Sequence, residues 1–308
     1  MSPQKLSISF FLLAYLSLGS HMSQGQQVEN VPAAFGNLGN EPEAIIISNE
    51  LNVPTSAGHL QGIQLIEKDE QEKLLLSGSS RKQSYILQVD LASGKTDKLI
   101  PLMDDPFRHA GGIQVSDQYL IVGIEDNIIK TTSKVCLYDY RSSELYDSRP
   151  NVTIERQGEV KRYTSGATGL LPIGDKHLAL VSNWDSRNWD FYEVDLNKSE
   201  SKLIQTFEAP VDWGSYQSIN LLKDKEAIYA IGTYQKGSEG IADLILVSNL
   251  PGFGLIMKII DSKTFNCKND VDFATAAGIQ IDSEGKLHIW ASQRDALKQI
   301  SINKFSEE

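Results

Sequence analysis

Two histidines in matched surroundings are the residues best suited to chemistry. His59 lies within Gly58-His59-Leu60-Gln61-Gly62-Ile63-Gln64 and His109 within Arg108-His109-Ala110-Gly111-Gly112-Ile113-Gln114. Imidazole titrates near neutral pH, so such a pair suits a general acid and base, or two ligands to a divalent metal. Glu125, Asp126 and Asp185 are the loop acids that could complete either arrangement. In the same frame recur Gln64, Gln114, Asn220 and Gln280, which are expected to line a central channel. Amides in that position also have a purely structural use, since they hold channel waters and satisfy one another.

A second group, Arg81, Trp184, Arg187, Trp213, Tyr234 and Arg294, mixes guanidinium groups with aromatic rings. That combination suits a small polar molecule or a saccharide, with rings stacking and arginines fixing orientation. It is equally the composition of wet loops, with Trp184 and Trp189 free to pack between sheets. A phosphate-backbone partner is disfavoured, because 40 acids against 29 bases give a net charge of −11 and nucleic-acid affinity depends on neutralising phosphates. There is no Gly-x-Ser-x-Gly, His-Glu-x-x-His, phosphate loop or Cys-x-x-Cys. Asn269, Asp270 and Asp272 sit outside any calcium-binding loop pattern and read as a solvated turn.

The histidine motifs are two of five related segments. The others are Thr275-Ala276-Ala277-Gly278-Ile279-Gln280, Gly166-Ala167-Thr168-Gly169-Leu170-Leu171 and Ser215-Tyr216-Gln217-Ser218-Ile219-Asn220. Anchored on Ile63, Ile113, Leu170, Ile219 and Ile279, the steps are 50, 57, 49 and 60 residues, the size of a propeller blade. Short β-type runs follow each anchor, beginning with Lys73–Ser79, Ser84–Asp90 and Thr96–Leu102 and continuing in the same succession to Lys298–Asn303. The last unit lacks one strand. Glu43–Ser48 supplies it from the amino-terminal side, closing the ring and removing open sheet edges. No segment of about ten residues has helical periodicity. The expectation is therefore an all-β, five-bladed β-propeller with four antiparallel strands per blade, over residues 43–308.

The pattern resembles secreted β-propeller proteins of the five-bladed type, at the level of architecture. That resemblance implies glycosidases with three carboxylates at the ring axis, a nucleotidase, or sugar-binding lectins. The inner strands here carry His, Gln and Asn where the glycosidases would place acids. Residues 1–25, with Lys5 ahead of the apolar run Leu6 to Leu18 and small residues up to Gly25, read as a signal peptide. Residues 26–42 form a lead segment. The mature chain is expected to be secreted or periplasmic and monomeric, with no spanning segment and with Cys136 and Cys267 unpaired. Three functions follow: a propeller binding a small polar ligand or glycan at the channel mouth, a metal-assisted hydrolase or lyase using the histidine pair, or a protein-interaction scaffold.

Overall fold

In a computed structural model, residues 28–68, 71–141, 149–250 and 254–308 are described. The signal-peptide segment and its cut near Gly25 lie outside them. One short helix, α1 (Val31–Gly36), precedes twenty strands. It is too short for its periodicity to be read in sequence, and capping specifies it instead. Asn30 accepts a 2.9 Å hydrogen bond from the amide of Ala33, and a proline opens the first turn.

After α1 comes β1 (Glu43–Ser48), and then a ladder of β2 (Leu60–Lys68), β3 (Gln71–Ser79), β4 (Gln83–Asp90) and β5 (Lys95–Asp104). The next is β6 (His109–Ser116), β7 (Tyr119–Glu125), β8 (Thr132–Asp139) and β9 (Val152–Gln157). It is followed by β10 (Ala167–Ile173), β11 (Lys176–Ser182), β12 (Asn188–Asp195) and β13 (Glu200–Glu208). Then come β14 (Ser218–Lys223), β15 (Ile228–Lys236), β16 (Glu239–Leu250) and β17 (Gly254–Phe265). The last ladder is β18 (Ala277–Ile281), β19 (Leu287–Ser292) and β20 (Gln299–Ser306), completed by β1, which pairs antiparallel with β20 from Glu43↔Lys304 to Ser48↔Gln299.

Both faces of each ladder are covered, which explains why the second strands read as unbroken apolar runs rather than alternating ones. Successive side chains point to opposite faces. Leu74 and Leu76 pack with Ile300, Ile302 and Trp290 of the last ladder, whereas Leu75 between them packs with Ile113, Val122 and Cys136 of the next. Ile121, Val135 and Leu137 go the other way, against Leu170, Ala179 and Val181. Leu180 and Trp189 meet Ile219, Leu221 and Ile245. Leu222, Ile231 and Leu244 meet Ile279, Ile289 and Phe305, where α1 adds Val31 and Phe35. Each such buried Leu or Ile contributes about 1.5–3 kcal/mol.

Glycines in the repeated motif sit where first strands crowd together. A Cβ on Gly62 would lie 2.6 Å from the Ile113 nitrogen, and one on Gly111 would lie 2.3 Å from the Gly166 oxygen. Neighbouring first strands touch through single parallel pairs, Gly62↔Ala277 and Gly112↔Ala167. Cys136 and Cys267 are unpaired. Burial pushes their thiols up, to about 11 and about 12, which leaves them poor nucleophiles at neutral pH. Among the described residues no helix is long and apolar enough to cross a membrane.

Candidate functional site

Antiparallel register brings the start of each first strand opposite the end of its second strand. His109 is thereby the direct cross-strand partner of Glu125. His109 Nδ1 lies 3.2 Å from Glu125 Oε1, a close contact without the alignment of a hydrogen bond. Glu125 is wholly buried, and its other oxygen accepts from the backbone amide of Ser165 at 2.7 Å. His59 stands at the corresponding place in the preceding ladder, half-buried, with its ring centroid 5.8 Å from that of His109.

One side chain not anticipated from sequence links the two rings. Gln61 Nε2 is 2.9 Å from His59 Nε2 and 3.2 Å from His109 Nε2. The register between β2 and β3 shifts between Leu60 and Gly62, so Gln61 occupies a bulge, the usual device for re-aiming a side chain beside a site. His59 Nδ1 lies 2.9 Å from the Leu60 carbonyl and donates to it, which leaves Nε2 to accept from the amide. Protein partners thus face every ring nitrogen. Among the described residues no group of three His, Cys, Asp or Glu side chains could hold a metal ion. The pair does not fit the divalent-metal site considered from sequence.

Burial holds the His59 imidazole down at about 4, helped by the charges of His109 and Arg294 and opposed by the hydrogen bond to Leu60 and the charge of Asp295. The sign of the linkage follows. An unfolded histidine binds its proton near pH 6.5, the folded one only near pH 4, so this contribution to stability is complete above pH 6.5 and is lost as pH falls toward 4. Its size is on the order of 2–3 kcal/mol. Urea midpoints measured at pH 7 and pH 4 are expected to fall further for the wild type than for His59→Asn. Equal losses would show that His59 is not the group responsible.

Beside His109 opens a cavity of about 370 Å3, lined by Ala57, Ser79, Ser80, Arg81, Arg108, His109, Asn127 and Ile128. Four loops build it, and bonds to backbone carbonyls tie three of them together. Arg81 donates its amide to the Ser56 carbonyl at 2.7 Å, and Arg108 Nη1 donates to the Arg81 carbonyl at 2.8 Å. Gly58 allows the close approach, since a Cβ there would lie 1.9 Å from the Ser79 oxygen. Two further cavities, of about 430 and 410 Å3, lie beside α1 and at the Asp282 turn, and neither has an imidazole or a guanidinium in its wall.

The remaining predicted residues divide by what their polar atoms touch. Asp126 is buried and accepts from the amides of Ile128 and Ile129, so it shapes a cavity loop and does not reach the histidines as an acid. Asp185 accepts from the Arg187 amide within its own turn. Arg187 donates to the carbonyls of Pro210, Trp213 and Gly214, which makes it a loop staple. Trp213 packs against Trp189 and Phe207, with centroids 5.9 and 5.7 Å apart, and Tyr234 packs against Tyr216. Trp184 is 43% exposed, with Lys130 Nζ 3.9 Å above its ring. Arg294 is exposed near His59, and its carbonyl accepts from the Leu60 amide.

Three of the four predicted channel amides do converge. Gln114 Oε1 accepts from the amides of Leu170 and Leu221, both at 2.8 Å, while its Nε2 donates to the Leu221 carbonyl at 2.7 Å. Gln64 accepts from the Val115 amide, and Asn220 bridges the Ile113 carbonyl and the Ile279 amide. A Cβ on Gly278 would lie 2.5 Å from Gln64 Nε2, so a glycine there gives the amide its room. Gln280 corrects the expectation. It stays in its own ladder and accepts from Trp290 Nε1 at 2.9 Å.

No protein-family model and no curated protein sequence matches the chain. Its structure is similar to the native arabinanase of Bacillus subtilis, with a TM-score of 0.53 at 11% identity over 81% of this chain and 95% of that one. It is also similar to an exo-β-1,3-galactanase from Phanerochaete chrysosporium with galactose, at 0.50 and 7% over 86% of this chain and 65% of that one. A GH43 β-xylosidase/α-arabinofuranosidase from a compost metagenome, in complex with xylotriose, gives 0.47 and 9% over 84% and 95%. At such identities it is the all-β fold alone that is shared.

Proposed function

We propose that the protein is an exported, monomeric five-bladed β-propeller, each ladder one blade, that binds a small saccharide in the cavity beside His109. The observation that carries this is the cavity itself, which adjoins the histidine cluster on the face where first strands begin. Its volume lies in the range of small-ligand sites, roughly 300–1,000 Å3. The shared fold with an arabinanase and with a galactanase captured with galactose supports a saccharide over other polar ligands.

A ligand that binds only the folded state raises stability by RT ln(1 + [L]/Kd), about 2.7 kcal/mol at one hundred times Kd. Thermal denaturation of the purified protein with mono- and disaccharides is expected to show such a rise for at least one sugar. The His59→Ala/His109→Ala double variant, once its ligand-free melting is recorded, is expected to lose it. Equal shifts in both proteins would place the binding elsewhere.

A second reading, a hydrolase or lyase, draws on one specific contact. His109 sits in the cavity wall with Glu125 3.2 Å behind it, the arrangement in which a buried carboxylate orients an imidazole base. In that case His109→Gln abolishes turnover of a bound oligosaccharide while binding survives.

A further inference from the structure

We propose that the bound saccharide is acidic, and that its carboxylate or sulfate ester is held by Arg81 and Arg108 in the cavity wall. This rests on the saccharide reading above and deepens it.

The chain carries 40 acids against 29 bases, yet the cavity wall reverses that balance. Arg81, Arg108 and His109 line it, and no Asp or Glu does. Elsewhere in the fold the guanidinium groups of Arg156 and Arg162 meet the carboxylate of Asp190, and that of Arg187 meets three carbonyls. The cavity pair is different. Among the described residues the Arg81 side chain makes no hydrogen bond or ion pair and is exposed. Arg108 spends Nη1 on the Arg81 carbonyl. Among the described residues it makes one ion pair, with Asp105 at 3.4 Å; the carboxylate is 66% exposed and the Arg108 side chain 19%, so solvent screens the pair from the Asp105 side.

That same Nη1 bond joins the two arginines through the backbone, so the fold itself brings two like charges to one concave surface. Such an arrangement is relieved by an anion, and guanidinium groups match the planar carboxylate and the sulfate edge with paired N–H donors. A neutral sugar would leave the Arg81 charge without a counter-charge and Arg108 with Asp105 alone. Asn127, in the same wall, remains for hydroxyl groups.

Calorimetric titration tests this with glucuronate and galacturonate, glucose 6-sulfate, neutral glucose and galactose, and sodium acetate and sodium sulfate alone. At least one acidic sugar is expected to bind tenfold or more tightly than its neutral counterpart. Arg81→Gln and Arg108→Gln are each expected to weaken it tenfold or more, Arg81→Gln with ligand-free melting unchanged, and rising salt to weaken it further. Because Arg81 is exposed, Arg81→Gln decides the matter if the Arg108 variant folds poorly. Preference for the uronates identifies a carboxylate source, and preference for glucose 6-sulfate a sulfate ester. Neutral sugars binding as tightly as acidic ones would overturn the charge inference and leave the saccharide reading standing. Acetate or sulfate alone binding as tightly as any sugar would overturn the saccharide, and with it this proposal. No binding by any sugar would remove both.

Discussion

Replacing Asp190 with alanine is expected to cost about 3–5 kcal/mol of stability, the usual penalty for stranding a buried charge. Asp190 accepts from Arg156 at 2.6 Å, from both terminal nitrogens of Arg162 at 2.8 and 2.7 Å, and from Thr206 at 2.9 Å. Burial alone would raise its carboxyl, but the Arg162 hydrogen bonds and the Arg156 charge outweigh that and hold it below the usual carboxylate range. Arg156 is itself 4% exposed and also donates to the Thr164 carbonyl, so the alanine variant leaves its guanidinium in the interior without a counter-charge. Urea denaturation measures the loss. A triple change of Arg156→Met, Arg162→Met and Asp190→Leu is expected to be milder than the single one, because it removes the desolvated charges together. If the single variant unfolds within about 1 kcal/mol of the wild type, the cluster is not the clamp described here.

That clamp matters beyond stability. It fastens the segment just before β10, whose Thr164 hydroxyl accepts from the Trp184 amide and whose Ser165 amide donates to Glu125. Through Glu125 it sets the orientation of His109 and one wall of the cavity. Loss of Asp190 is therefore expected to weaken saccharide binding as well, even under conditions where the variant is folded.

The second large effect is expected at Gln114. Methionine there nearly preserves shape but deprives the buried amides of Leu170 and Leu221 of their acceptor and the Leu221 carbonyl of a donor. Two stranded N–H groups at roughly 1–3 kcal/mol each predict a loss of about 2–6 kcal/mol. Gln64→Met strands only the Val115 amide and weakens a 3.4 Å contact to Asn220, so it should cost less. Urea midpoints in the reverse order would refute the view that these amides hold the first strands together.

The architecture was legible because its cause is local and repeated. A first strand crowded by its neighbours demands small residues, and a second strand buried on both faces demands an unbroken apolar run. Both demands leave marks at a fixed period. His109 and Glu125 were both identifiable as candidates, since each ends a strand of one hairpin. Register between ladders was not legible. Structural pairing sets Gly62 against Ala277, whereas matching Ile63 to Ile279 assumes a frame shifted by one residue. The faces are nonetheless kept, since Ile279 packs against the preceding ladder as Ile63 and Ile113 do; what composition does not show is that Gln280 accepts from Trp290 Nε1 within its own ladder. The bulge that delivers Gln61 to the histidines leaves no mark in composition, because glutamine two residues after histidine is unremarkable without the backbone shift. Arg187 and Trp213 had suitable chemistry for a ligand. Three backbone carbonyls and an aromatic cluster claimed them first, and those are long-range facts.

Pairing of β1 with β20 has a temporal consequence. Every other ladder is assembled from consecutive strands, but the last one needs Glu43–Ser48 and Gln299–Ser306, the two ends of the domain. Bringing them together is the largest loop closure in the molecule, and non-local pairings of that kind slow folding. The first strand to leave the ribosome must wait for the last, with its edge unprotected meanwhile. Once joined, the two strands guard each other: neither Glu43–Ser48 nor Gln299–Ser306 can detach without breaking the ladder bonds of the other.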